Sequence, residues 1–341
     1  MEDMQEQKEH HIVISAKTLM FAAVLLLVLS VLWAVRNLLL SLFIAFIIKS
    51  AVRPLILYFV KKGVPRRLGV VAIFVAIIFS FIFMLVWVIP PFVQETALLI
   101  KHLPAMIKSL NPLVAGYVNV ESLSQYAPNI TNQVFNIIRI VFSNVMFVVT
   151  TLFFSFYLTL DEGFIKNALG YFLNEKDALL AAILIEKTEK RLGGWLLGEF
   201  VLMVVIGCIT YLGLTILGFR YALPLSIIAG LLEAVPNIGP VFSTIPAIIV
   251  GVAQTPFLGV AAVALYFIVQ QLENHLIVPY MMKKAVGLSP VVTLIALIVG
   301  GQLFGVLGMI LAIPLALFLE TLLTEIKKQR KKSGNNSANL R

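Results

Sequence analysis

Apolar runs separated by short polar breaks dominate the hydrophobic pattern of this chain. A helix of about 20 apolar residues crosses a hydrocarbon core roughly 30 Å thick. On that criterion the pattern predicts membrane-spanning helices at 18–35, 68–93, 142–160, 195–219 and 256–277. A shorter run at 38–48 ends at Lys49, Arg53 and Pro54, which we interpret as a membrane interface. The run that begins at Leu68 is predicted to end at Pro90 and Pro91.

Two long segments lack this apolar character. Residues 94–139 combine moderate polarity with scattered prolines and an approximately helical apolar spacing, which predicts amphipathic helices against the membrane or a neighbouring subunit. Residues 161–191 are rich in both acidic and basic side chains, which predicts a solvated helical arm. The last residues, after Lys332, are poor in apolar side chains and are predicted to be disordered.

Two further apolar stretches are interrupted in the middle. Residues 222–250 contain the sequence Glu233-Ala-Val-Pro-Asn-Ile-Gly-Pro240, and residues 286–323 contain Gly300-Gly301-Gln302. The limb 222–232 would rise only about 16 Å as a helix, roughly half of a hydrocarbon core. Broken segments of this kind predict re-entrant hairpins, which mark the binding sites of many transporters. A proline kink or a short external turn is the alternative interpretation of each break.

Composition excludes a soluble domain. Apolar residues make up 60% of the chain and charged residues 13%, whereas soluble domains are about 25% charged. The net charge of +9 is concentrated in basic clusters beside the apolar runs, at 61–67 and 327–332. This placement predicts membrane orientation and argues against nucleic-acid binding. Both termini and the pair Lys283 and Lys284 are then predicted to be cytoplasmic, with 94–139 outside.

The whole pattern predicts an all-α, polytopic integral membrane protein with about six to eight transmembrane helices and two Pro/Gly-broken, re-entrant-like hairpins. The predicted units are N-terminal membrane helices (1–93), an extracytoplasmic amphipathic insert (94–139), a membrane helix (140–160), a charged cytoplasmic helical arm (161–194), a C-terminal transport core (195–325) with hairpins at 222–250 and 286–323, and a basic disordered cytoplasmic tail (326–341).

Polar residues near the breaks are the candidates for a transport pathway. An acid inside a membrane span is a functional hypothesis by default, because burying its charge is costly. Glu233 is the preferred candidate, while Glu273 has an interfacial or capping role as its alternative, and Glu199 is predicted to be interfacial. The predicted pathway residues are Glu233, Pro236, Asn237, Gly239, Pro240, Gln270, Glu273, Asn274, Gly300, Gly301 and Gln302. Of these, Gln270, Glu273 and Asn274 are spaced to share one helix face.

Signals of an enzyme are absent from the sequence. It contains no zinc-protease, phosphate-binding-loop or hydrolase nucleophile motif. We therefore predict no enzymatic activity, no cofactor and no metal site. The lone cysteine, Cys208, lies in an apolar run, permits no disulfide within the chain, and is interpreted as a small buried hydrophobe.

The broken segments resemble the autoinducer-2 exporter family, also called PerM-like permeases. The resemblance rests on 233–240, on Gln270-Gln271-Leu272-Glu273-Asn274 running to Pro279, on 287–292, and on Gly300-Gly301-Gln302-Leu-Phe-Gly305 running to Pro314. It implies a helical, oligomeric permease, with members associated with autoinducer-2 export and others with sodium–proton antiport.

Two hypotheses of different kinds follow. The first is a secondary transporter of a small polar solute such as autoinducer-2, or a monovalent cation/proton antiporter, in the bacterial inner membrane. Its predicted partners are the lipid bilayer, the solute or cation, and further copies of the chain. The second is a membrane scaffold or assembly protein that acts through the 94–139 insert and the 161–194 arm.

Overall fold

The computed structural model describes residues 16–109, 144–161, 163–236, 238–279 and 288–338, and within these it contains helices but no strand. Six helical segments are long and apolar enough to cross a membrane: Lys17–Ala34, Arg36–Lys61, Arg66–Leu99, Asp177–Ile216, Pro256–Ile277 and Pro290–Lys328. Shorter apolar helices accompany them. The prediction of an all-α polytopic membrane protein is therefore confirmed.

The first helix, α1 (Ala16–Ala34), is apolar on every side and buries none of its length against the rest of the protein. The next helix, α2 (Arg36–Lys61), follows after Val35 and is packed at the centre of the N-terminal half. It runs without a break through Pro54. Lys49 is buried within the protein, and its assignment to a membrane interface stays a prediction.

A second long rod is formed by α3 (Arg66–Phe83), a wider π-helical turn (Met84–Val88) and α4 (Ile89–Ser109). The rod continues past Pro90 and Pro91, where the sequence predicted the end of a span. Proline removes a helical hydrogen bond and crowds the preceding turn, and a π-helical turn just before the pair gives the backbone room to continue. The predicted insert lies mostly outside the described residues, since 110–143 are not described.

The chain returns through α5 (Val145–Leu160), which packs on α2 and α3. The short α6 (Phe164–Phe172) leads to α7 (Glu175–Ile216), a 42-residue helix. At 1.5 Å per residue α7 is about 63 Å long, so the charged arm and the fifth apolar run form one continuous rod. The arm is solvated only in part, because Thr188 and Glu189 are buried where α7 crosses α2.

The first broken stretch folds as two short helices, α8 (Ala222–Leu232) and α9 (Gly239–Gln254). They pack on each other, α8 also lies along α7, and α9 lies along α10 (Pro256–Leu272). A second π-helical turn, Glu273–Ile277, follows α10 directly. A buried cluster that includes Leu214, Leu225 and Tyr266 joins these helices into the C-terminal core.

The second broken stretch, α11 (Pro290–Ala338), is a helical hairpin with its turn at Gly305. Gly305 has φ 61° and ψ −141°, a conformation that glycine adopts far more readily than other residues. The two limbs then approach so closely that a side chain on Gly300 would collide with the carbonyl of Gly308, and the reverse is also true. The basic pair Lys283 and Lys284 lies outside the described residues.

Candidate functional site

Three carboxylates from three different helices gather inside the C-terminal core. Glu199 lies in the middle of α7, Glu233 ends α8, and Glu273 begins the π-helical turn after α10. Their exposed fractions are 4%, 1% and 7%. We call Glu199, Glu233 and Glu273 the acidic cluster. Fully buried acids are rare in proteins unless they are paired, so this cluster is the chemically most unusual feature of the core.

Close helix packing brings the cluster together. The turn after Ile216 sends α8 back along α7, and Gly230 of α8 approaches Gly207 of α7. Glu233 therefore arrives about 16 Å along α8, at the depth of Glu199. At the start of α9, a side chain on Gly239 would overlap the Leu232 carbonyl. This glycine lets the chain fold back tightly enough to keep Glu233 inside the protein.

The cluster lacks basic partners among the described residues. No described lysine, arginine or histidine forms an ion pair with any of the three carboxylates. The carboxyl groups of Glu233 and Glu273 adjoin each other, and Glu199 is close enough to interact electrostatically with both. Gln270 Nε2 donates a hydrogen bond to Glu273 Oε2 at 3.0 Å. Within the described ranges, no amide, amine or hydroxyl donor reaches either oxygen of Glu233 or the Oε1 atom of Glu199, and the polar contact of Glu233 is with the carboxyl group of Glu273.

This arrangement fits capture of a small positive species. Carboxylates held together in a medium of low dielectric repel one another, and binding a proton or a cation relieves the repulsion. In the part of the chain that the structure describes, no group of three acidic, histidine or cysteine side chains has the geometry of a metal site.

Two buried hydroxyl groups in the same core also lack described partners. They are Thr210 on α7 and Tyr266 on α10. Tyr266 precedes Glu273 by seven residues and Thr210 follows Glu199 by eleven, so each hydroxyl shares a helix face with its acid. Buried polar groups nearly always have partners. The unsatisfied groups thus extend from the acidic cluster along the inner faces of α7 and α10.

The predicted pathway residues near the first break differ in how deeply they are buried. Glu233 and Gly239 are buried, Pro236 and Pro240 are half-buried, and Asn237 lies outside the described residues. On α10, Gln270 and Glu273 contact each other as their spacing predicts, but Asn274 is exposed. The π-helical turn that begins at Glu273 changes the helical phase there. Assignment of these residues to a pathway stays a prediction.

The second break lies beside the first. Val235 and Ile238 of the first break pack against Leu297, Met309 and Ala312 of the α11 hairpin. Gly300 and Gly301 are half-buried at the contact between the two limbs, whereas Gln302 is exposed near the turn. The structure therefore joins the two breaks through apolar contacts and does not bring Gln302 to the acidic cluster.

Sequence reasoning missed two buried charged groups. Glu199 was interpreted as interfacial because it lies close to the start of an apolar run, but it belongs to the acidic cluster. The second group joins α2 to α7: Glu189 accepts from Lys49 Nζ at 2.6 Å and from Arg53 at 2.7 Å. We call Lys49, Arg53 and Glu189 the ionic bridge. The only sequence signal for it is a pair of cations inside an apolar helix with a matching acid more than a hundred residues later.

These features define a multi-pass helical membrane protein with a buried polar site beside two broken segments, which is the architecture of a transporter. Comparison with known proteins gives the family. Residues 21–328 match the model of the AI-2E family transporters, and the chain belongs to this family of membrane transport proteins.

Relatives in the family are distant but cover most of the chain. "Putative transport protein YrrI" of Bacillus subtilis (strain 168) is 22% identical over 323 residues, covering 89% of this chain and 92% of that protein. "Putative permease PerM" of Escherichia coli (strain K12) is 23% identical over 76% of this chain and 79% of its own length. "AI-2 transport protein TqsA" of the same strain is 24% identical over 84% of both chains.

Proposed function

We propose that this chain is a secondary transporter that moves a small polar solute across the bacterial inner membrane and couples the movement to a proton or a monovalent cation at the acidic cluster. The observation that carries this proposal is the environment of Glu233. It is 1% exposed, lies at the end of a half-length membrane helix, and has no described basic partner; its carboxyl group contacts that of Glu273, a second buried acid.

Autoinducer-2 is the solute that the family relationship favours, since one relative is named as an AI-2 transport protein. The pathway runs along the first break, past Glu233, Pro236, Asn237 and Gly239, with Gln270 orienting the Glu273 carboxylate. Both termini face the cytoplasm in this proposal, because the basic clusters at 61–67 and 327–332 follow the positive-inside bias.

A second candidate is exchange of monovalent cations for protons without an organic solute. The same observation favours it, since a cluster of buried carboxylates with no described basic partner suits a small cation as well as a coupling proton. The two candidates share the site and differ in the cargo, so one assay format separates them.

The test uses the full chain in proteoliposomes with a trapped pH indicator. Proton movement is recorded after imposing a gradient of autoinducer-2, and separately of Na⁺, Li⁺ or K⁺. Glu233→Gln should reduce the productive flux by about tenfold or more, the effect expected when a required proton-transfer group is removed. The matched control is Glu186→Gln, which changes an exposed acid on α7. Equal flux in wild type and Glu233→Gln would remove the acidic cluster from the mechanism.

A further inference from the structure

Three hydroxyl side chains are buried where α8 and α10 pack on α7. They are Thr210 on α7, Ser226 on α8 and Tyr266 on α10, with exposed fractions of 0%, 2% and 6%. We call them the hydroxyl layer. The hydroxyl oxygens of Thr210 and Tyr266 have no hydrogen-bond partner among the described residues. Ser226 donates within its own helix, to the Leu223 carbonyl at 2.9 Å, so its oxygen can still accept a hydrogen bond.

Two glycines of α7 show that the three hydroxyl groups lie at a similar depth. A side chain on Gly207 would touch the Ser226 carbonyl, and a side chain on Gly213 would overlap Leu265, the residue before the tyrosine of the layer. Thr210 is three residues from each glycine, or about 5 Å along the helix axis. Helix positions three apart differ in direction by about 60°, so Thr210 points between α8 and α10.

An apolar layer separates the hydroxyl layer from the acidic cluster. On α8 and on α10 the hydroxyl residue precedes the acid of the same helix by seven residues, which places both on one face and about 10 Å apart. Leu202 and Ile206 of α7 and Val269 of α10 fill this interval as one buried cluster. The same helices therefore carry two polar levels with an apolar level between them.

The hydroxyl layer has no buried charge of its own. In the part of the chain that the structure describes, every buried charged side chain belongs to the ionic bridge or to the acidic cluster. An anion in the layer would meet no buried cation, and a cation there would lie about 10 Å along the helices from Glu233 and Glu273. Hydroxyl groups both donate and accept hydrogen bonds, which matches the hydroxyl and carbonyl groups of a polar solute.

We propose that the hydroxyl layer binds hydroxyl or carbonyl groups of the transported solute, as a second binding position on the route that passes the acidic cluster. Buried polar groups rarely lack partners, and a solute that binds and dissociates supplies partners that the fold does not. The proposal rests on the proposed function for the existence of a solute, and it extends the route along α7, α8 and α10, beyond the first break.

Access to the layer is tested by cysteine labelling of the full chain in proteoliposomes. The reagent is 2-aminoethyl methanethiosulfonate, which reacts with thiolates and therefore needs water at the cysteine. Thr210→Cys in a Cys208→Ala background should be labelled several-fold faster than wild type, as measured by intact-protein mass spectrometry. The wild type is the matched control, because Cys208 lies two residues away on the exposed side of α7, which meets lipid. Ser226→Cys in the same background gives a second reading if Thr210→Cys fails to fold.

Solute binding is tested by the proteoliposome flux assay with autoinducer-2. Tyr266→Phe and Thr210→Val should each raise the half-saturating concentration by about fivefold, the effect of one neutral hydrogen bond. The melting temperature should stay unchanged or rise, because neither hydroxyl has a described partner to lose. Tyr211→Phe and Thr215→Val remove exposed hydroxyl groups from α7 and are the matched controls, with no change expected.

Three results would overturn the proposal. The first is labelling of both Thr210→Cys and Ser226→Cys no faster than that of wild type. The second is an unchanged half-saturating concentration in both Tyr266→Phe and Thr210→Val, which would leave the layer with structural water only. The third is a lowered melting temperature in these two variants, which would assign the hydroxyl groups to the fold. Fast labelling of Thr210→Cys in a wild-type protein that moves no autoinducer-2 would instead overturn that choice of solute and support a polar route through the layer.

Discussion

The ionic bridge and the acidic cluster both bury charge in the apolar interior, and they do so in opposite ways. In the bridge, Glu189 is surrounded by Lys49 and Arg53, and its two oxygens are satisfied at 2.6 and 2.7 Å. In the cluster, the polar contact of Glu233 is with another acid, Glu273, and no described basic group compensates its charge.

The difference separates structure from function. A buried charge that has a fixed partner holds two helices in register, here α2 and α7, and has no need of an outside ion. A buried acid without a basic partner in the fold can be neutralised by a proton or a cation that binds and dissociates. The first arrangement suits a permanent helix contact, and the second suits a transport site.

The largest expected effect comes from breaking the bridge. Glu189→Gln should destabilise the protein by about 3–5 kcal/mol, because it leaves the buried Lys49 without its compensating charge. Thermal unfolding in detergent measures the loss, with Glu186→Gln on the same helix as the control. The double variant Lys49→Met with Glu189→Leu should recover most of the stability, since an apolar pair needs no charge compensation. A minor effect of Glu189→Gln would mean that the bridge does not hold α2 to α7.

Substitution of Glu233 should change the free energy of unfolding in the opposite direction from substitution of Glu189. Glu233→Met should leave the free energy of unfolding unchanged or raise it by about 1–3 kcal/mol, the cost of a buried polar group without a partner, while abolishing flux. The comparison needs both thermal unfolding and the proteoliposome assay on the same preparation. Strong destabilisation would show that Glu233 has a stabilising partner and would end the contrast with Glu189.

A neutral polar contact across helices should have an effect of intermediate size. The hydroxyl groups of Ser41 on α2 and Thr151 on α5 are buried and 3.0 Å apart. Ser41→Ala should cost about 0.6 kcal/mol, the average for such bonds between membrane helices. Thermal unfolding of both single variants and the double variant isolates the pair; strictly additive losses would argue against coupling.

The smallest expected effect belongs to an ion pair in which only the lysine is exposed. Lys187 Nζ lies 2.6 Å from Glu325, but its side chain is 46% exposed. Lys187→Ala should change the free energy of unfolding by no more than about 0.5 kcal/mol. The effect should vanish at high salt, because solvent ions screen exposed charges. A loss comparable to that of Glu189→Gln would show that burial is not what distinguishes the bridge.

Local features of the fold followed from the sequence, while boundaries between elements were harder to place. The half-length of α8 follows from the Pro and Gly residues after Leu232. The turn within α11 lies at Gly305, a few residues after the predicted break at Gly300-Gly301-Gln302. The continuation of the α3–α4 rod through Pro90 and Pro91 did not follow from the sequence, because a π-helical turn leaves no simple trace in the pattern. The charged arm and the next span form one helix although Gly193 and Gly194 lie between them. Gly193 packs so closely on α2 that a side chain there would overlap the Ser50 carbonyl.

The candidate site was predicted in part. Glu233 and Glu273 were selected because an acid in an apolar run is costly wherever the run is buried. Glu199 was set aside because it lies close to the predicted start of an apolar run. That distance is a weak guide here, since the helix extends far beyond the run. The contact between the two breaks, through Val235 and Leu297, joins residues more than sixty positions apart, and no local pattern records it.

The sequence by itself determined that this chain is a helical membrane protein and where two of its apolar stretches are broken. Those properties depend on the solvation of single segments, and segment length, composition and glycine or proline content control them. The tertiary structure decided which charges meet. Lys49 contacts Glu189 because α2 and α7 pack together, although they are far apart in the chain. Glu199 lies near Glu233 and Glu273 for the same reason.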